Sequence, residues 1–259
     1  MKNTALITGA SNGIGLELAL VHAATGGDLV LVARNAQKLQ ELKNKIESTY
    51  KVQVLNIVMD LSKPGSASEL YEETKKHGVQ VQLLINNAGF GDFGLFHQSN
   101  WKKTEEMIQL NITTLTHLCH LFGADMVKAK SGRIMNVAST AAFQSGPTMA
   151  VYYATKAYVL SFSEAIHNEL SDYGVTVTAL CPGATTSGFQ EAAAMQESKL
   201  VKGKKLPSSK EVAVYGYKAM LKGKAVAIHG TMNAIMANAV RFIPRAWAVK
   251  IVRSIQDKS

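Results

Sequence analysis

The run Val151-Tyr152-Tyr153-Ala154-Thr155-Lys156 sets two phenols just ahead of an ammonium. On a helix, positions four apart are offset by about 40° and positions three apart by about 60° the other way. Tyr152 and Tyr153 can therefore both approach Lys156, and spacing favours Tyr152 only slightly. The chemistry on offer is proton transfer. A phenol titrates near ~10, too high for a ready base at neutral pH, and an adjacent ammonium stabilises phenolate and lowers that value.

A second constellation opens the chain. "TGASNGIG" (8–15) follows the apolar run "TALIT" and leads into a helical pattern. Gly9, Gly13 and Gly15 allow a tight turn and close approach of backbone to a pyrophosphate. Ser11 and Asn12 add short hydrogen-bonding side chains, and Ile14 starts the helix whose N-terminus supplies N–H groups and a favourable dipole. A site for NAD(H) places an acid about 20 residues further on, for the ribose 2′-hydroxyl. The stretch "LVLVARNAQKLQ" (29–40) has none. Arg34 and Asn35 stand there instead, with Lys38 a turn on, and a guanidinium fork suits a 2′-phosphate. The expected cofactor is NADP(H).

These groups need a frame. Short β-branched runs alternate with longer helical ones: strands are expected at 4–9, 28–34, 51–60, 81–89, 132–140, 175–183 and 225–230. Helices are expected at 13–26, 36–50, 66–77, 101–129, 148–172 and 209–222. Repeated strand–helix–strand units imply right-handed crossovers and a parallel sheet covered on both faces. The fold class is α/β: a doubly wound, Rossmann-type, mostly parallel seven-stranded sheet in a single domain of 259 residues. Ligands in such folds bind beyond the carboxyl ends of the strands. Gly9, Arg34, Asp60, Asn87, Ser139 and Pro182 all fall at those ends.

The chain resembles the short-chain dehydrogenase/reductase family from residue 4 to about 187. The resemblance rests on Thr8-Gly9-x-x-x-Gly13-x-Gly15, "NNAG" (86–89), "NVAST" (136–140), Tyr152-x-x-x-Lys156 and "CPGATTSG" (181–188). Only Tyr152 satisfies the family's Tyr-x-x-x-Lys spacing, which leaves Tyr153 as a packing or pocket residue. The resemblance implies that Tyr152 is the general acid/base, that Ser139 holds the substrate carbonyl, and that Lys156 binds the nicotinamide ribose. It also implies that Asn111 holds a proton-relay water. For the cofactor it implies Asp60 and Leu61 at the adenine, with a turn or N-cap as the plainer reading of Asp60. Asn87 supports the sheet centre, and Ala88 and Gly89 keep the wall small. Pro182 and Gly183 shape the nicotinamide wall. Ser187 stands where the family often has a carboxamide-binding threonine, with Thr185 two residues before it. Cys181 reads as a packed residue.

Residues 188–208 are expected to form a substrate lid, in which Phe189, Met195 and Leu200 line a pocket or pack a helix. "FGDFGLF" (90–96) reads as another pocket wall, suited to a medium-sized, partly apolar carbonyl compound. The tail 231–259 is apolar and basic. It reads first as packing or self-association and second as a membrane-surface contact. A homodimer or homotetramer formed through helices 101–129 and 148–172 follows from the resemblance.

The formal charge of +9 comes from scattered Lys and Arg, and no nucleic-acid module is present. Two distant cysteines make neither a disulfide framework nor a metal site. No transmembrane segment or secretory leader is expected, and the reading is cytoplasmic. The function expected is hydride transfer between NADP(H) and a carbonyl or secondary alcohol. The rivals are a non-catalytic NADP(H)-binding sensor and an epimerase or dehydratase acting on nucleotide sugars.

Overall fold

The computed structural model describes residues 1–186 and 206–256. Seven strands form one parallel sheet in the order β3-β2-β1-β4-β5-β6-β7. They are β1 (Thr4–Thr8), β2 (Leu29–Ala33), β3 (Val54–Val58), β4 (Val81–Asn86), β5 (Gly132–Val137), β6 (Val175–Cys181) and β7 (Val226–Ile228). All seven were legible in the sequence, each a little longer than found. β1 and β2 are buried along their whole length. Strands covered on both faces carry continuous apolar runs, and "TALIT" and "LVLVA" do so.

One face is covered by α1 (Gly13–Ala23), α2 (Ala36–Tyr50) and α7 (Ser209–Leu221). The other is covered by α3 (Ser66–Lys76), α5 (Leu115–Lys128) and α6 (Ala150–Ser171). Leu18, Leu39, Ile46 and Val212 seal the first layer, and Leu70, Leu118, Phe122 and Val159 the second; all are at most 3% exposed. The order in which strands are added reverses between β1 and β4, which places a crevice at their carboxyl ends.

The helix expected over 101–129 is three pieces. α4 (Trp101–Ile108) runs into a π-helical turn, Gln109–Thr114, and then into α5. A π-turn inserts an extra residue into the helical ladder and often marks a functional position. The tail forms α8 (Thr231–Ala239), a 3₁₀ turn (Val240–Phe242) and α9 (Arg245–Gln256), with Pro244 between the last two.

Candidate active site

The glycine loop is built as its residue types require. Gly9 and Gly13 take φ of +67° and +56°, the left-handed region that other residues enter at a cost. A Cβ on Gly15 would lie 2.4 Å from the Gly9 carbonyl oxygen, so α1 packs too close for any side chain. Asn12 caps α1 by accepting from the Gly13 N–H at 2.7 Å. Its oxygen is thus committed to the helix, and the remaining N–H groups of the first turn face the crevice without intrahelical partners.

Asn87 supports the sheet centre from the end of β4. Its Nδ2 donates to the carbonyls of Thr8 (3.0 Å) and Gly9 (3.2 Å), so it ties β4 to the glycine loop. Its neighbour holds the other side of β4. Asn86 donates to Asn136 Oδ1 at 2.9 Å, and Asn136 donates to Ser163 Oγ at 2.9 Å, linking β4, β5 and α6. Thr8 Oγ1 accepts from the N–H groups of both Asn87 and Ala88, each at 3.0 Å.

Arg34 is exposed at the end of β2. Asn35 caps α2 by accepting from Lys38 N at 2.9 Å. Asp60 adopts the turn reading: it accepts from Ser62 N (3.1 Å) and Ser62 Oγ (2.7 Å). Burial pushes its carboxyl up, but the Ser62 bonds and then the nearby Arg34 and Lys63 charges outweigh that and leave it below the usual range. Leu61 is buried, and its carbonyl accepts from Thr114 Oγ1 at 2.9 Å.

The two tyrosines separate completely. Tyr152 stands close to Ser139, whose hydroxyl favours its phenolate, and Lys156 Nζ lies 5.8 Å from its ring centroid. Tyr153 instead packs where a Cβ on Gly146 would sit, 2.4 Å from its ring, and accepts from Gln256 Nε2 of α9. Ser139 follows β5, accepts from Ala141 N at 3.1 Å and so starts the short turn Thr140–Phe143. Lys156 is 6% exposed and donates to the Val137 carbonyl at 2.7 Å.

The electrostatics differ from the expected acidified phenol. Burial raises Tyr152 well above the ordinary phenol value, with the Ser139 hydrogen bond opposing and Tyr153 adding to the rise. Burial lowers Lys156 to about 8, against a small upward pull from Cys181. Desolvation is the largest influence on both: each group is pushed toward its neutral form. Cys119 and Cys181 are buried, with burial pushing both thiols up to about 12, which leaves them unreactive.

Asn111 sits in the π-turn. Its Nδ2 donates to the Phe90 carbonyl (3.0 Å) and Thr155 Oγ1 (3.1 Å), and its Oδ1 accepts from Phe90 N (3.3 Å). The amide joins the loop after "NNAG" to α6, one residue from Lys156. A Cβ on Gly89 would lie 2.9 Å from Asn111 Oδ1 and 3.5 Å from Lys156 Nζ, so glycine is required there.

Pro182 and Gly183 follow β6 as expected. The Pro182 carbonyl accepts from Thr140 N at 2.9 Å. A Cβ on Gly183 would lie 2.6 Å from the Asn233 side chain, so α8 presses on this wall. Thr185 is buried and donates to the Gly183 carbonyl at 2.9 Å. Ser187, Phe189, Met195 and Leu200 lie outside the described residues.

Beside Tyr152 opens a hollow of about 290 Å³. Phe93, Leu95, Met107, Met149 and Val151 give it apolar walls, and Asp92, ion-paired with Lys103, adds charge. Phe90 and Phe93 pack on the cluster that contains Met107, Met149 and both tyrosines. Sequence reasoning missed three members of this site. Thr155 and Val137 act through a hydroxyl and a backbone carbonyl, which no spacing rule flags. Gln256 reaches Tyr153 across 103 positions of chain.

Among the described residues no His/Cys/Asp/Glu group could hold a metal ion, and no helix is long and apolar enough to cross a membrane.

The residues fit a nicotinamide dinucleotide: a glycine loop under a helix N-terminus, a wall stripped of side chains at Ala88 and Gly89, and a buried lysine beside it. Comparison with known proteins agrees. The sequence profile of the short chain dehydrogenase family matches residues 3–198. The chain is 31% identical over 179 residues to an uncharacterized oxidoreductase of Staphylococcus saprophyticus, covering 69% of this chain and 76% of that protein. It is 31% identical over 180 residues to 7beta-hydroxysteroid dehydrogenase of Collinsella aerofaciens, covering 70% and 68%. A short-chain dehydrogenase from Sphingobium yanoikuyae, solved in complex with NADPH, superposes with a TM-score of 0.83 at 31% identity, over 92% of this chain and 93% of that one. The fold, the glycine loop and this kinship agree: the chain belongs to the short-chain dehydrogenase family, oxidoreductases that act on alcohol and ketone groups.

Proposed function

We propose that the protein is an NADP(H)-dependent reductase of partly apolar ketones, reversible as an alcohol dehydrogenase, with Tyr152 as general acid/base. The observation that carries the reading is that buried Tyr152 lines the hollow, with the buried Lys156 amine 5.8 Å from its ring centroid and half-buried Ser139 close to its hydroxyl.

Ser139 and Tyr152 present two hydroxyls to one substrate oxygen. Donors fixed before the reaction, and aimed where negative charge develops, are a large catalytic term. Burial keeps the Tyr152 proton in place over the neutral range, which suits donation to a nascent alkoxide. The bond to Val137 holds the Lys156 amine under the site, where it would meet the nicotinamide ribose. When bound, the nicotinamide supplies the hydride. Arg34 would hold the 2′-phosphate, and the glycine loop the pyrophosphate.

The apolar walls favour a ketone with a sizeable hydrocarbon part. Two relatives support this class by their names: the hydroxysteroid dehydrogenase above and a bulky-bulky ketone specific alcohol dehydrogenase from Comamonas testosteroni. The latter superposes with a TM-score of 0.78 at 29% identity, over 93% of this chain and 92% of that one. A homo-oligomer and a cytoplasmic setting belong to the same proposal. Exposed Trp101 on α4 and Tyr158 on α6 are available to a helix-mediated contact.

The test is a panel of ketones and aldehydes followed by NADPH absorbance and repeated with NADH. Turnover of bulky ketones with NADPH is expected. Reaction of only small polar carbonyls would refute the substrate class. Tight NADPH binding with no turnover of any carbonyl would favour the sensor.

A further inference from the structure

We propose that α8 and α9 form a docking face for an anionic lipid surface. The face stands on helical spacing and on charge. Met232, Ile235, Met236 and Ala239 recur at intervals of three and four along α8, and all are exposed. Trp247, Ile251 and Ile255 do the same along α9 at intervals of four. Phe242, in the turn between them, is 88% exposed, and Trp247 is 66% exposed. A stripe with this period normally faces a core.

The core side of these helices is already filled by different residues. Ala248, Val252 and Gln256, again four apart, face inward: Val252 packs on the tyrosine cluster, and Gln256 bonds Tyr153. Ala237 is buried, and Asn233 presses on Gly183. The helices are therefore anchored through one face and present a second apolar face outward. Exposed apolar stripes of this kind, on two successive helices, mark a contact surface.

Charge selects the occupant. Residues 231–256 contain Arg241, Arg245, Lys250 and Arg253 and no Asp or Glu. A two-fold contact with a second copy would set the same patch against itself and bring four cations against four. Aromatic and aliphatic anchors on one face, with Lys and Arg flanking and no acids, are what an amphipathic helix needs to lie in a lipid headgroup layer.

The test uses the full chain with vesicles of phosphatidylglycerol and phosphatidylcholine in equal parts, against phosphatidylcholine alone. Co-sedimentation with the anionic vesicles, weakened by added salt, is expected. In a Trp101→Phe background, Trp247 fluorescence shifts to the blue on binding. Lys250→Gln weakens partitioning roughly fivefold, and Phe242→Ser with Trp247→Ser abolishes it. These side chains are exposed, and circular dichroism verifies that the variants stay folded. Equal sedimentation with both vesicle types overturns the proposal. So does anionic binding that survives the Ser substitutions. Absence of vesicle binding, with an oligomer on size exclusion that the same substitutions dissociate, also overturns it and makes this face a contact between copies. None of these readouts depends on turnover.

Discussion

Tyr152 and Tyr153 are adjacent on α6, yet their rings cross at 78° with centroids 6.1 Å apart, and their hydroxyls go to different partners. One meets Ser139, beside the hollow; the other meets Gln256, in the last helix. The helix alone does not make this choice. Gly146 and α9 make it: the Tyr153 ring fills the space left at Gly146, and Gln256 bonds its hydroxyl.

Arg34 should decide between the two nicotinamide cofactors. Hydrogen bonds to a charged group are worth about 1.5–3 kcal/mol, which is about 10- to 150-fold in affinity. Arg34→Ala should raise KM for NADPH by that factor and leave KM for NADH nearly unchanged. Steady-state kinetics with both cofactors checks this, and equal loss with both would assign Arg34 to general charge attraction.

The glycine loop should tolerate no side chain at Gly15. An alanine Cβ would meet the Gly9 carbonyl oxygen and Asn87 Nδ2, each at 2.4 Å. Overpacking of this kind costs about 1–3 kcal/mol. Gly15→Ala should lower Tm and weaken NADPH binding about tenfold or more, read by thermal denaturation and cofactor fluorescence.

Asn111 should act as a strut. Its amide makes three bonds, to the two backbone polar groups of Phe90 and to Thr155. Asn111→Ala leaves buried partners unpaired, at roughly 1–3 kcal/mol, and loosens Gly89 and Phe90 against Lys156. Denaturant unfolding should show the stability loss, and kcat should fall with it.

The frame and most of this site were legible in the sequence, for physical reasons. Buried parallel strands must be continuous apolar runs, so β1 and β2 announced themselves. The loop after β1 needs glycines where φ is positive, so its spacing was visible. What spacing could not carry was partner choice. Asn87 and Asn86 are neighbours, and alternation across a strand end sends one to the glycine loop and the other to β5. The π-turn under Asn111 has no composition signal. Spacing reports proximity to Lys156 but not burial, and burial raises Tyr152 and lowers Lys156.

That electrostatic balance sets a pH dependence. Tyr152 is raised, so the acid form needed for ketone reduction persists through neutral pH. Lys156 titrates at about 8, so its charge is present below that value and lost as pH rises through it. The kcat/KM for ketone reduction, which reports the free enzyme, should be level below about 8 and fall above it. Lys156→Arg keeps its charge throughout and should remove the fall while lowering the plateau. A wild-type profile that stays level well above pH 8 would contradict the assignment.

The central claim is that one phenol of the pair moves the proton. The direct measurement is single-turnover reduction of a ketone from the active panel by Tyr152→Phe and Tyr153→Phe, with NADPH bound and its absorbance followed. Removing the acid should slow the Tyr152→Phe step roughly a hundred- to ten-thousand-fold, with cofactor binding retained. Tyr153→Phe should stay within about tenfold of the parent and lose mainly stability, through the broken Gln256 bond. The reverse ranking, or near-parent rates in both variants, would contradict the account.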